Sequence, residues 1–230
     1  MSMTRRQFNR LFMSSLAAAS LPAGLLPATA QARTSTPTLI EGGNWAPIVP
    51  PQPGDNPGKI EVLEFFSYGC PHCHDFNPLV TRWAAKLPKD ISFRRVPISF
   101  GRAAWSNLAR LFYGLAAIGQ LERMDQKVFD AIHVSKTNLY AEQAMLNWAA
   151  RQGLDTRTLR DAMRSFGVEN NVARAAALEG AYKVSNVPML TVDGRYSVLN
   201  GGAKVLPDLL DFADGLIAKA RQDRRPGKRR

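Results

Sequence analysis

Hydrophobic positions change their period along this chain, and the changes outline its elements. Lys59-Ile60-Glu61-Val62-Leu63-Glu64-Phe65-Phe66 is a short, dense apolar run with the make-up of a buried strand. Ser67-Tyr68-Gly69 turns out of it, and a helix is predicted to open near Cys70. Pro71 suits the first helical turn, where its missing N–H costs nothing. Pro78 interrupts the same helix and is expected to kink it. Ile91–Val96 reads as a second strand. Residues 101–165 read as mostly helical: Leu108, Leu111, Phe112 and Leu115 have helical spacing, and Leu146, Trp148 and Ala149 follow it roughly. Phe112 and Phe129 read as core. Gly153 and Gly167 fit helix ends. Another helix is predicted over Glu169–Tyr182. Met189–Val192 and Tyr196–Leu199 then flank Asp193-Gly194, a strong hairpin signal. A last helix is expected from about Val205 to Ala220.

The two ends read differently. Residues 33–59 hold Pro37, Pro47, Pro50, Pro51, Pro53 and Pro57, which argues against regular helix and allows a short edge strand near Trp45–Val49. Residues 1–32 read as an export signal. Thr4-Arg5-Arg6-Gln7-Phe8 resembles a twin-arginine start, and a mildly apolar stretch rich in Ala and Ser follows from Leu11 to Leu26. Ala28-Thr29-Ala30 and Ala30-Gln31-Ala32 both fit a small-residue cleavage site. An ordinary secretory signal is the alternative route; Pro22 and Gly24 weigh against an uncleaved anchor. No apolar run approaches the roughly 20 residues of a membrane span. The expected location is a bacterial periplasm.

Composition narrows the function. The 230 residues suffice for one domain, or one carrying an insertion, and 45% are hydrophobic, as in ordinary globular proteins. The net charge of +11 suggests nucleic acid until its distribution is followed. Residues 1–32 carry three arginines and no acid, and residues 219–230 carry seven basic residues against Asp223. The body between them is nearly balanced, so no nucleic-acid partner is expected, and the basic tail reads as solvated. There are two cysteines, three positions apart. A disulfide-stapled scaffold would hold more; one isolated pair points to chemistry.

Cys70-Pro71-His72-Cys73 follows a buried strand and opens a helix, which is the redox setting of a CxxC pair. The first thiol sits at a helix N-terminus, where free N–H groups and the dipole favour a thiolate. His72 can add a hydrogen bond or positive charge. Cys73 lies one turn further in. A zinc site would need four ligands, and there is no second CxxC. Cys70-Pro71-His72-Cys73-His74 also matches the haem-attachment pattern of a c-type cytochrome, which remains as a rival. His74 otherwise reads as helix surface and His133 as packing. Glu64 stands in a strand that should be buried, where an unpaired carboxylate is costly and its pKa rises.

Val62–Cys73, the dipeptide Val187-Pro188 before a strand, and Phe129-Asp130-Ala131-Ile132-His133-Val134 together resemble the DsbA family of thiol–disulfide oxidoreductases in the thioredoxin superfamily. The resemblance covers roughly residues 45–220. It implies an α/β, thioredoxin-like fold with an inserted helical domain: residues 60–100 and 170–220 in the thioredoxin-like part, 101–169 in the insertion, 221–230 a basic tail. It implies a redox-active disulfide between Cys70 and Cys73, donated to reduced exported polypeptides and restored by a quinone-linked membrane reoxidant of the DsbB type. Pro188 would be cis, and Val187-Pro188 would present backbone to a bound peptide. Glu64 would lie beneath the disulfide and assist proton transfer at Cys73. The family often pairs that acid with a lysine on the next strand; here the strand offers Phe93, Arg94 and Arg95, which leaves the partner open. No cofactor or metal is implied. A reductase or isomerase on the same fold is the nearer alternative, although residues 33–59 are too short and Pro-rich for an isomerase's dimerisation domain, which suggests a monomer. A pure binding chaperone would not need the two thiols.

Overall fold

The structure, a computed structural model, describes residues 38–225; the expected export signal and the end of the basic tail lie outside them. The apolar run forms β2 (Ile60–Phe66), with all seven residues buried. A strand covered on both faces can be apolar at nearly every position, which is why the run does not alternate. After it, α1 (Pro71–Ala84) crosses over to β3 (Ile91–Pro97), which pairs with β2 in parallel. On the other side β2 pairs antiparallel with β4 (Met189–Val192), then come β5 (Tyr196–Val198) and β1 (Trp45–Pro47), giving the order β1-β5-β4-β2-β3.

Between β3 and β4 the chain inserts α2 (Ala103–Ala117), α3 (Leu121–His133), α4 (Glu142–Arg151), α5 (Thr156–Met163) and α6 (Phe166–Ala181). The last helix, α7, spans Asp208–Asp223. One face of the sheet packs Ile60, Val62 and Leu190 against Phe76 and Val80 of α1 and Leu216 of α7. The other face packs Leu63, Phe65 and Val96 against Ala175 of α6 and Tyr182. The inserted helices build their own core from Leu111, Leu115, Met124, Phe129, Leu146 and Leu159, and that core also takes in Phe66, Cys70 and Cys73. Each fully buried Leu or Phe contributes about 1.5–3 kcal/mol of apolar transfer. The result is a thioredoxin-like α/β fold with a helical insertion, and the cysteine pair lies in the core of the inserted helices beside Phe66 of β2.

Several elements depart from the sequence reading. Helix α1 continues unbroken through Pro78 to Ala84, so the proline does not interrupt it. Gly167 lies in the first turn of α6 and does not end a helix; Ser165 is the cap, its hydroxyl accepting from the Val168 N–H. Because α6 begins at Phe166, it runs across the boundary expected at 169/170. Helix α7 extends to Asp223, and the first tail arginines are not free solvated charges. Arg221 makes two hydrogen bonds to Asp90, at 2.8 and 3.0 Å, and Arg224 reaches Asp193 and the Pro57 carbonyl. Charge-run reasoning could not see these partners because they are far away in sequence.

The β4–β5 hairpin turns through Asp193 and Gly194, both at positive φ (59° and 63°). A Cβ on Gly194 would collide with the Gln52 carbonyl oxygen, held close because the Gln52 N–H donates to the Gly194 carbonyl. Gly194→Ala therefore combines left-handed strain with a backbone clash. It is expected to lower unfolding stability by about 2 kcal/mol or more, measured by denaturant titration at an unchanged m-value.

Candidate active site

Cys70 is the N-cap of α1, with extended backbone (φ −96°, ψ 120°), and Pro71 takes the first helical position. The thiol therefore looks along the start of a helix whose first N–H groups have no helical partner. Cys70 is 7% exposed and Cys73 is fully buried; both are free thiols here. The pKa of Cys70 is lowered to about 6. The largest cause is a hydrogen bond from the Cys73 thiol, opposed by burial; the backbone N–H groups of Cys73 and His72 and the charge of His72 add to the lowering. His72 itself is exposed. Cys73 is pushed strongly upward, first by burial, then by the Cys70 thiol and by the charge of Glu64. Both thiols are buried, and they differ in acidity: Cys70 ionises more readily than an ordinary thiol and Cys73 less.

The Val187–Pro188 peptide is cis and stands beside the pair. The Val187 carbonyl oxygen lies 3.5 Å from Cys70 Sγ and accepts its hydrogen bond. On the other flank Gly69 is pressed against Trp105: a Cβ at 69 would come within 2.8 Å of the indole nitrogen. His133 donates from Nε2 to the Tyr68 carbonyl (2.8 Å), tying the segment before Cys70 to α3. Burial pushes the His133 pKa down. His133 thus does more than pack.

Glu64 shares a face of β2 with Ile60, Val62 and Phe66, because side chains alternate along a strand. Its partner in register is Arg95 on β3. Glu64 is fully buried, and Arg95 Nε donates to Glu64 Oε2 at 2.6 Å. The open question of the partner is answered by an arginine where a lysine was looked for. Arg95 also donates from Nη1 to Asp125 Oδ2 of α3 at 2.7 Å, and its guanidinium lies 4.0 Å over the Phe66 ring. Tyr68 donates to Asp125 Oδ1 at 2.6 Å. Burial is the main cause that raises the Glu64 pKa; Arg95 lowers it and Asp125 raises it further. The sequence reading missed Asp125 and Tyr68. A signal existed: Asp125 stands on the apolar stripe of α3 with Val128, Phe129 and Ile132, where a carboxylate requires a buried partner.

The haem reading of Cys70–His74 is not supported. Both ring nitrogens of His74 are engaged by carboxylates, Nδ1 with Asp75 at 2.8 Å and Nε2 with Asp130 at 3.0 Å. Among the described residues no cluster of three or more His, Cys, Asp or Glu side chains could hold a metal ion.

A strand-to-helix CxxC with one depressed and one elevated thiol, faced by a cis-proline loop, defines a thiol–disulfide oxidoreductase of thioredoxin fold. Residues 61–211 match the DSBA-like thioredoxin domain, and the chain belongs to that family. It is 43% identical over 217 residues to the thiol:disulfide interchange protein DsbA of Bordetella parapertussis, covering 92% of this chain and 98% of that one. The Azotobacter vinelandii DsbA is 39% identical over 192 residues, covering 83% and 89% respectively. The crystal structure of Pseudomonas aeruginosa DsbA superposes with a TM-score of 0.75 at 35% identity, covering 79% of this chain and 94% of that one.

The Cys70 thiolate has a direct consequence for stability. Its folded pKa of about 6 lies below the ordinary 9.0, so its contribution is complete above pH 9 and is lost as pH falls through 6. The dithiol form is expected to become more stable as pH rises from about 6 to about 9. Cys70→Ser should flatten that slope in denaturant titrations made at each pH. Rapid alkylation of Cys70 in native protein should show the same midpoint near 6, with Cys73 unreactive.

Proposed function

We propose that this chain is a periplasmic disulfide donor, exported by its N-terminal segment through the twin-arginine or the ordinary secretory route, in which Cys70 and Cys73 form the redox-active disulfide. The observation that carries this reading is the geometry of the pair: Cys70 caps the N-terminus of α1 against the Val187 carbonyl, and Cys73 is fully buried in the first turn, which lowers the pKa of Cys70 and raises that of Cys73. A stabilised Cys70 thiolate favours the reduced pair, so the disulfide is readily given away.

A substrate thiolate attacks Cys70 Sγ, the Cys70–Cys73 bond breaks, and Cys73 leaves with the electron pair and takes a proton. A second substrate thiolate then attacks the substrate sulfur of the mixed disulfide. Cys70 departs as a thiolate, and its low pKa makes it a good leaving group. The substrate has lost two electrons and the cysteine pair has gained them. A quinone-linked membrane partner of the DsbB type would remove them again. Val187 and Pro188 offer backbone to the extended peptide, as the Val187 carbonyl beside Cys70 suggests. His72 supports the thiolate through its backbone N–H and its charge. Glu64 is the proton carrier for Cys73. The thioredoxin-like part, residues 60–100 and 170–220, carries the chemistry, and the insertion closes over it.

Equilibration against glutathione buffers tests the direction. A potential near about −120 mV, that of DsbA itself, is expected; one near about −270 mV would make the protein a reductant and overturn the proposal. Cys73→Ala, with Cys70 first converted to its glutathione mixed disulfide, should exchange with a reduced model polypeptide, release glutathione and accumulate a protein–polypeptide mixed disulfide visible by non-reducing electrophoresis, whereas Cys70→Ala treated in the same way should form none.

A further inference from the structure

Two carboxylates, Glu64 and Asp125, each place one oxygen on the Arg95 guanidinium; of their four oxygens, one is left without a partner. The other three accept a hydrogen bond: Asp125 Oδ1 from the Tyr68 hydroxyl, Asp125 Oδ2 from Arg95 Nη1, and Glu64 Oε2 from Arg95 Nε. Glu64 Oε1 is buried and has no partner. Glu64 is fully buried, and the Asp125 side chain is only 11% exposed. With both acids ionised the cluster would hold two negative charges against one positive, an unbalanced charge out of reach of solvent. Two acids in this position share one proton, and their environments decide which holds it.

We infer that Asp125 and Tyr68 are positioning residues that fix this proton on Glu64 Oε1, so that the inserted helical domain sets the protonation state of the acid serving Cys73. Asp125 has a donor on each oxygen, the Tyr68 hydroxyl and Arg95 Nη1. Glu64 has a donor on one oxygen, and the other is free to carry hydrogen. The contributions to the Glu64 pKa agree in sign, since the Asp125 charge opposes the lowering by Arg95. The charged and titratable groups bearing on Glu64 come from three further elements: Arg95 of β3, Asp125 of α3 and Cys73 of α1; its partner on β4, Leu190, is neutral.

The role in exchange rests on the disulfide-donor reading. When the Cys70–Cys73 bond breaks, its electron pair goes to Cys73 Sγ and the Glu64 proton follows. Glu64, briefly a carboxylate against Arg95, then regains a proton from solvent, so the dithiol form also carries a proton on Glu64. On reoxidation by the quinone-linked partner, the Cys73 proton is lost to solvent by way of Glu64 as the Cys73 sulfur bonds to Cys70. A carboxyl already ionised could not make the first transfer.

Infrared titration of the whole chain in its disulfide form, where neither cysteine titrates, tests the assignment. The carbonyl stretch of a protonated carboxyl group is followed against pH and assigned by its loss in Glu64→Gln. Wild type should show this band persisting above the ordinary carboxylate range. In Asp125→Asn the whole Arg95 charge falls on Glu64, and the midpoint should drop by at least about one pH unit, a tenfold loss of proton affinity. Tyr68→Phe keeps the ring packing and removes one donor from Asp125; the midpoint should drop by less. If Asp125→Asn does not fold, Tyr68→Phe decides alone. An unchanged midpoint in the folded variants overturns the inference, as does a band that survives Glu64→Gln. A purely structural role for Asp125 would lower stability without moving the midpoint. The redox potential is measured separately, so failure of the donor reading and failure of this assignment are told apart.

Discussion

A strand buried on both faces gives a charged side chain nowhere to find water, yet β2 carries Glu64 at its centre. The burial cost has to be offset locally. Much of the architecture around the cysteines follows from how that is done. Parallel pairing with β3 puts Arg95 in register with Glu64 and on the same face of the sheet. The Arg95 side chain is only 13% exposed and is flanked by the Phe66 ring, so it needs a second acid, and α3 supplies Asp125. Tyr68, two residues before Cys70, completes the chain of contacts. The inserted helices are thus bound to the sheet through charge as well as through the apolar core that holds Phe66, Cys70 and Cys73.

The parts legible in the sequence were those set by local chemistry. Dense β-branched and aromatic residues gave β2, Asp193-Gly194 marked the hairpin, and Pro71 after a buried strand marked the start of α1 at Cys70. The contrast between Cys70 and Cys73 also followed from position: one thiol caps a helix, the other lies a turn deeper where nothing solvates its charge. Even Glu64 could be flagged, because a carboxylate in an apolar strand demands an explanation.

What stayed hidden depends on long-range pairing. Arg94 and Arg95 are adjacent, and only strand register decides which of them faces Glu64. Asp125 lies thirty positions beyond Arg95, across α2. Gly167 read as a helix end and Glu169 as the start of the next helix, whereas Ser165 caps α6, its hydroxyl satisfying the free N–H of Val168. Arg221 and Arg224 read as part of a solvated run until folding brought Asp90 and Asp193 to them.

The forked geometry of Arg95 bears on descent within the family. Its Nε and Nη1 reach two different acids from one planar group, which the single ammonium of a lysine is poorly shaped to do. A lineage that exchanges this arginine for lysine leaves the acid on α3 without its donor, in a place where an orphaned carboxylate is penalised. Arginine on the strand and aspartate on the helix therefore act as one unit in this chain, and replacing either alone leaves a charge of the other unmatched.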